Sequence, residues 1–278
     1  YINVQRHHKL DALKRILEIT NEGVIIFVRT KLLTTSIAEA LENSGHSVAV
    51  LNGDIPQNQR ENTVDRLKKG FIDILVATDV AARGLDVERI KLVINYDFPF
   101  DKETYTHRIG RTGRAGRSGE AILFVNQREK HFLRNLENST RNKIEEIEIP
   151  NNKIINEKRM GKLITNLNES SLDQDNNEEK KALMIDILDT LREKYSMEDS
   201  NIAMAAINLA IGNKSFFINE DESWLYRQNN SDRNRSNRNG NNRMRNTNRR
   251  NNYQNDSFET YKFNFGKMDR VRVANIIS

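Results

Sequence analysis

The chain has 278 residues, no cysteine and a formal charge of +5. That length allows one full core plus a smaller unit, and the lack of cysteine excludes a disulfide framework or a cysteine-ligated metal and fits a reducing, cytoplasmic setting. No apolar run reaches the roughly 18 residues of a membrane span, and the first residues carry no signal-peptide pattern. The charge is unevenly spread: 12 of the 44 lysines and arginines, but only 4 of the 39 acids, lie after residue 226. A near-neutral body with a basic tail argues for a folded machine carrying a polyanion-binding arm.

Taken in order, residues 1–4 read as an extended lead-in. Leu10, Leu13, Ile16 and Leu17 recur at helical spacing, and residues 24–28 form a short apolar run, as in a buried strand. Helical spacing returns at Leu33, Ile37, Ala40 and Leu41, ending near Gly45, and residues 48–51 give the next strand. Pro56 opens a helix with Val64 and Leu67 apolar and Gly70 at its close. Residues 72–77, 92–96 and 121–125 are further strands. Short apolar strands alternating with amphipathic helices predict an α/β fold with a parallel sheet covered on both faces. Ligands of such sheets collect beyond the carboxyl ends of the strands, so chemistry is expected just after each run.

The densest such stretch is His107-Arg108-Ile109-Gly110-Arg111-Thr112-Gly113-Arg114. Arg111 and Arg114, three apart, would project the same way from a helix or turn, as a fork suited to a phosphate whose charge grows during transfer. Gly110 and Gly113 clear side chains from a close approach. A flexible Gly/Arg-rich RNA tail is the competing reading, because Arg114-Ala115-Gly116-Arg117 continues the pattern. The amphipathic approach at 103–108 and the apolar run 121–125 favour an ordered arginine site.

This string resembles motif VI of the DEAD-box RNA helicases, which lies in the second of their two RecA-like domains. Phe27-Val28-Arg29-Thr30-Lys31 resembles motif IV, and Asn52-Gly53-Asp54 follows the next strand. Gln57-x-x-Arg60 is similar to motif IVa, although Arg60 alone would read as a solvated helix charge. Ala77-Thr78-Asp79-Val80-Ala81-Ala82-Arg83-Gly84-Leu85-Asp86 is similar to motif V, and Asn95-Tyr96-Asp97-Phe98-Pro99 to the segment before motif VI. A helix N-terminus at Thr78 and Asp79 would grip a phosphate through its amides, and Asp79 would equally serve as a plain N-cap. The resemblance implies RNA contact by Thr30, Gly53, Asp54, Arg60, Thr78 and Asp79, ribose contact by Asp86, and catalysis by Arg111 and Arg114 on the γ-phosphate. It implies an interdomain role for Arg83, His107 and Arg108, with ATP and Mg as cofactors. Neither a G-x-x-x-x-G-K-S/T phosphate loop nor a D-E-A-D tetrapeptide occurs. A first RecA-like domain holding the metal is therefore expected before Tyr1, and residues 1–137 are expected to be the second. The alternative is a non-catalytic RNA-binding and dimerising module.

Residues 128–138 read as a helix and 144–149 as an alternating strand stopped by Pro150. Met160, Leu163, Ile164 and Leu167 precede a polar break at 170–177, and Leu183, Ile187, Leu188 and Leu191 make a helical stripe. Ser196-x-x-Asp199 resembles a capping box ahead of residues 202–211, a helix apolar on nearly every face that should be buried all round, within the segment or by a partner copy. Residues 138–226 are similar to the helical dimerisation region of DeaD- or CsdA-type DEAD-box helicases. That branch implies a homodimer and roles in ribosome assembly, RNA turnover or cold adaptation. Residues 227–257 are almost only Asn, Arg and Ser, a composition expected to be disordered and to attract phosphate. Residues 258–278 resemble the opening of the RRM-like domain that ends such proteins.

Overall fold

A computed structural model describes residues 1–113, 118–172, 178–212 and 216–226. Its strands are β1 (Ile2–Asn3), β2 (Gly23–Phe27), β3 (Val48–Leu51), β4 (Ile74–Ala77), β5 (Ile90–Asn95) and β6 (Glu120–Val125). They form one sheet in the order β1-β6-β5-β2-β4-β3, with every pair parallel. The helices are α1 (Lys9–Ile19), α2 (Lys31–Glu42), α3 (Gln57–Lys69), α4 (Lys102–Ile109), α5 (Lys130–Thr140), α6 (Asn152–Leu172), α7 (Glu178–Tyr195) and α8 (Asp199–Ile211). The expected α/β, RecA-like sheet is what forms.

The central strand shows why both faces must be covered. Val24, Ile26 and Val28 enter a core shared with Leu13 and Ile16 of α1 and Ile37 and Leu41 of α2. Ile25 and Phe27 point the other way, against Leu67 of α3 and Ala81, Ala82 and Leu85 after β4. Leu133 and Leu136 of α5 cover Leu123 and Val125 of β6. Each fully buried Val, Leu, Ile or Phe contributes about 1.5–3 kcal/mol, so a continuous apolar run on β2 is what a strand without a wet face requires. Gly70, at φ +81°, ends α3 in the left-handed region where a side chain would be strained.

Several local expectations fail for identifiable reasons. Residues 79–84 form turns instead of a helix, with a single helix-like bond from the Ala82 amide to the Thr78 carbonyl (3.0 Å). Residues 144–149 make no strand: the Ile147 amide donates to the Tyr1 carbonyl (2.8 Å), and a two-residue β1 offers too little edge for a ladder. Ile147 and Ile149 still pack against the main core. The helix α6 runs through residue 170 to Leu172, past the start of the anticipated break. Ser196 does not cap α8; it takes φ 51° after α7, Glu198 is the N-cap residue, and Asp199 instead accepts two bonds from Arg192 (2.8 and 3.1 Å). Nor is α8 enclosed: none of its residues is buried, and Leu209 is 83% exposed.

Segments following α5 fasten back onto the sheet domain. Buried Arg15 of α1 donates to the Pro150 carbonyl (3.1 Å), to Asn152 Oδ1 (2.8 Å) and to Glu222 Oε1 (3.1 Å). Arg159 of α6 pairs with Glu18 through Nε (2.9 Å), and its Nη1 donates to the Phe216 carbonyl (2.8 Å). Trp224 stacks on His8 at 4.4 Å and reaches the main core. The start of α6 and the stretch 216–226 are thus held by α1, while α7 and α8 bury nothing.

Candidate functional site

All strands run one way, so the loops following β2, β3, β4 and β5 gather at one edge of the sheet. At the centre of that edge is Arg108, on the last turn of α4 and only 2% exposed. Its Nε and Nη2 donate to Asp79 Oδ1 (2.6 Å) and Oδ2 (2.8 Å), a bidentate pair. Its Nη1 donates to Asn95 Oδ1 (3.2 Å) and to the Asp97 carbonyl (2.8 Å), and its guanidinium lies 5.2 Å from the Phe27 ring centre. One side chain therefore joins α4, the loop after β4 and the ends of β2 and β5.

The helix α4 begins at Asp101, whose carboxylate accepts the Thr104 amide (2.7 Å); that bond holds the acid below its usual range. It ends at Ile109, and the chain continues in turns to Gly113 at φ +67°. Arg111 follows the helix end, with Nε donating to the His107 carbonyl (3.1 Å) and Nη1 to the Leu85 carbonyl (2.7 Å). The arginine is thus set against the residue before Asp86, which is exposed. Phe27, Asp79, Arg83, His107, Arg108 and Arg111 line a cleft of about 290 Å³. Of the expected nucleotide pair, Arg111 lines this cleft, and Arg114 lies outside the described residues.

The anticipated RNA contacts share the same edge. Thr30 is exposed and caps α2, its hydroxyl accepting the Leu33 amide (3.2 Å). Gly53 and Asp54 are exposed, and the Asp54 carboxylate pairs with the Lys31 ammonium. Arg60 donates to the Arg83 carbonyl (2.6 Å), tying α3 to the loop after β4. Thr78 is partly exposed at the tip of β4. With the Asp79 carboxylate held by Arg108, it caps no helix.

Sequence reading assigned no role to Asn95 or Lys31, although both lie within the motif strings, or to Lys9. Asn95 had a usable signal: it is a polar residue closing the apolar run Leu92-Val93-Ile94, fully buried with Arg108 as its partner. Lys31 had none, because its pairing with Asp54 spans two loops.

The chemistry of the donor set fits half of a nucleoside triphosphate site. A planar guanidinium beside a loop bearing a carboxylate suits phosphate and ribose hydroxyls. Among the described residues no group of three His, Cys, Asp or Glu is placed to hold a metal ion.

A RecA-like sheet whose strand-tip edge presents Arg108 and Arg111 beside a cleft is the kind of arrangement a helicase C-terminal domain has. The family model for the helicase conserved C-terminal domain matches residues 8–116. Residues 8–116 thus form a helicase C-terminal domain, and the chain is similar to DEAD-box RNA helicases. It is 44% identical to the ATP-dependent RNA helicase DeaD of Buchnera aphidicola, over 76% of this chain and 34% of that protein. It is 42% identical to DeaD of Escherichia coli, over 80% of this chain and 35% of that protein. The chain therefore spans about a third of the length of these curated relatives. Among solved structures, a DEAD box protein from the hyperthermophile Methanococcus jannaschii matches with a TM-score of 0.51 and 40% identity, covering 53% of this chain and 41% of that one. No described helix is long and apolar enough to cross a membrane.

Proposed function

We propose that this chain is the second RecA-like part of an ATP-dependent RNA helicase that separates short or structured RNA duplexes. The observation that carries the reading is the setting of Arg111 against the Leu85 carbonyl, beside Asp86, on the edge that also bears Thr30 and Thr78. ATP, with its Mg, supplies the phosphoryl transfer once bound. On this chain Arg111, joined in the motif by Arg114, holds charge developing on the γ-phosphate, and Asp86 accepts a ribose hydroxyl. The rest of the nucleotide site, including the metal ligands, belongs to another domain, which the exposed Arg83 and His107 face, while Arg108, expected beside them, is buried and braces the edge from within.

RNA lies across the tips of β2, β3 and β4. Thr30, Gly53, Arg60 and Thr78 hold the sugar–phosphate backbone, which makes binding indifferent to base sequence. Asp54 and Asp79 would repel phosphate with bare carboxylates. Their pairing with Lys31 and Arg108 offsets this. The apolar surface of α7 and α8 supports a second proposal, a homodimer through residues 180–212, with Leu183, Ile187, Met204 and Leu209 all exposed.

The test uses a protein containing both RecA-like domains and compares ATP hydrolysis with single-stranded RNA, with DNA and with neither. RNA is expected to stimulate turnover strongly and DNA little, while this chain alone hydrolyses nothing. Turnover indifferent to RNA overturns the reading.

A further inference from the structure

Lys9 belongs to none of the helicase motifs, yet it is the buried lysine of the described residues, 4% exposed at the start of α1. Its Nζ donates to the Tyr96 carbonyl (2.6 Å), lies 3.6 Å from Asp97 Oδ1 and 5.3 Å from the Tyr96 ring centre. Burial pulls its pKa below the usual lysine range, and Asp97 is the largest influence pulling it back up. A cation held away from water costs free energy that an apolar residue of the same shape would not.

Asp97 is shared three ways. Its Oδ2 accepts the backbone amide of Arg29 (2.8 Å), the residue before Thr30. Its backbone carbonyl accepts Arg108 Nη1 (2.8 Å), and Arg108 continues to Asn95 and Asp79. A connected set of polar contacts thus runs from α1, through the end of β5, to the loop of Thr30 on one side and the helix of Arg111 on the other. Neutralising Lys9 would leave Asp97, whose side chain is 20% exposed, free to turn toward water and release the Arg29 amide.

We propose that Lys9 is a positioning residue for both ligands, its ammonium fixing Asp97 so that the Thr30 loop and the Arg108–Arg111 turn keep one relative placement. The ligand side of this proposal rests on the helicase reading. A bland alternative is a lysine that only joins α1 to the sheet.

The test pairs two readouts on Lys9→Met, which keeps the aliphatic stem. Hydrogen exchange on this chain is expected to speed up about tenfold in the peptide carrying Arg29 and Thr30, the size of a coupled polar contact, with α3 unchanged. Glu18→Gln, which loosens the Arg159 pair at the far end of α1, should leave that peptide alone. In the two-domain protein the RNA concentration for half-maximal ATPase should rise about tenfold, with a smaller fall in kcat. Asp97→Asn should show the same pattern, and the double variant should be no worse than Asp97→Asn; it also serves if Lys9→Met does not fold. Unchanged exchange at Arg29, additive losses, or faster exchange with unaltered RNA half-saturation would each overturn the proposal. An unsubstituted protein whose ATPase ignores RNA would sink the helicase reading instead, and exchange would still decide whether Lys9 holds the loop.

Discussion

The sheet domain and the α7–α8 lobe use similar apolar residues to opposite ends. In β2 every residue is buried, and the apolar side chains of the central strands are enclosed by elements of the same chain. In α7 and α8 no residue is buried, although residues 202–211 are nearly continuous in apolar character. Alternation of strand and helix gives the first region a cover for each face. Two helices in succession give the second none, so its apolar surface is available to another molecule. Substitutions should therefore damage catalysis or folding in the first region and assembly alone in the second.

The largest effect is expected at Arg111. In the two-domain protein Arg111→Ala should lower RNA-stimulated ATP turnover by about 10³–10⁵, as loss of an arginine finger does, with little change in melting temperature because Arg111 is only partly buried. Steady-state hydrolysis and thermal unfolding measured together separate the two. Arg108→Ala should act on the fold as well, since it strips Asp79 of its bidentate partner and Asn95 of a buried one. Leaving the buried Asn95 oxygen without this donor costs about 1–3 kcal/mol, which denaturant unfolding of this chain would report. A change there no larger than at Arg111 would erase the distinction between a locking arginine and a reacting one.

How much of this was legible follows the same division. Hydrophobic period placed the strands and the helices up to residue 70, because burial on both faces leaves a continuous apolar run that loops do not mimic. Motif spacing brought Thr30 and Thr78 to one edge, because in a parallel sheet any residue just after a strand lands there, and Arg111 reaches the Leu85 carbonyl from the end of α4. What was not legible were long-range polar contacts: Asn95 meeting Arg108, Lys31 meeting Asp54, and Arg15 holding Glu222 across 207 positions. Local rules also failed where another partner was preferred, as when Asp199 joined Arg192, seven positions away, instead of answering Ser196. The Asn/Arg-rich stretch and the RRM-like beginning lie outside the described residues.

For the lobe, Met204→Glu with Leu209→Glu should turn a dimer into a monomer in light scattering while the sheet domain melts within about 0.5 kcal/mol of its original stability. A monomer before substitution would remove the lobe's half of the contrast. The smallest effect concerns His46, between α2 and β3, where burial holds the imidazole below its ordinary 6.5. Below that value the unfolded chain takes up the proton first, so stability should fall as pH drops through the window beneath 6.5 and level off once the folded site is also protonated. His46→Gln should flatten this part of the melting-temperature profile.

The most direct measurement is the structure of the two-domain protein bound to RNA and a non-hydrolysable ATP analogue. The guanidinium of Arg111 should be within hydrogen-bonding distance of the γ-phosphate, with Asp86 at the ribose and RNA phosphates against Thr30 and Thr78. An Arg111 still bonded to the Leu85 carbonyl and remote from the nucleotide would contradict the account.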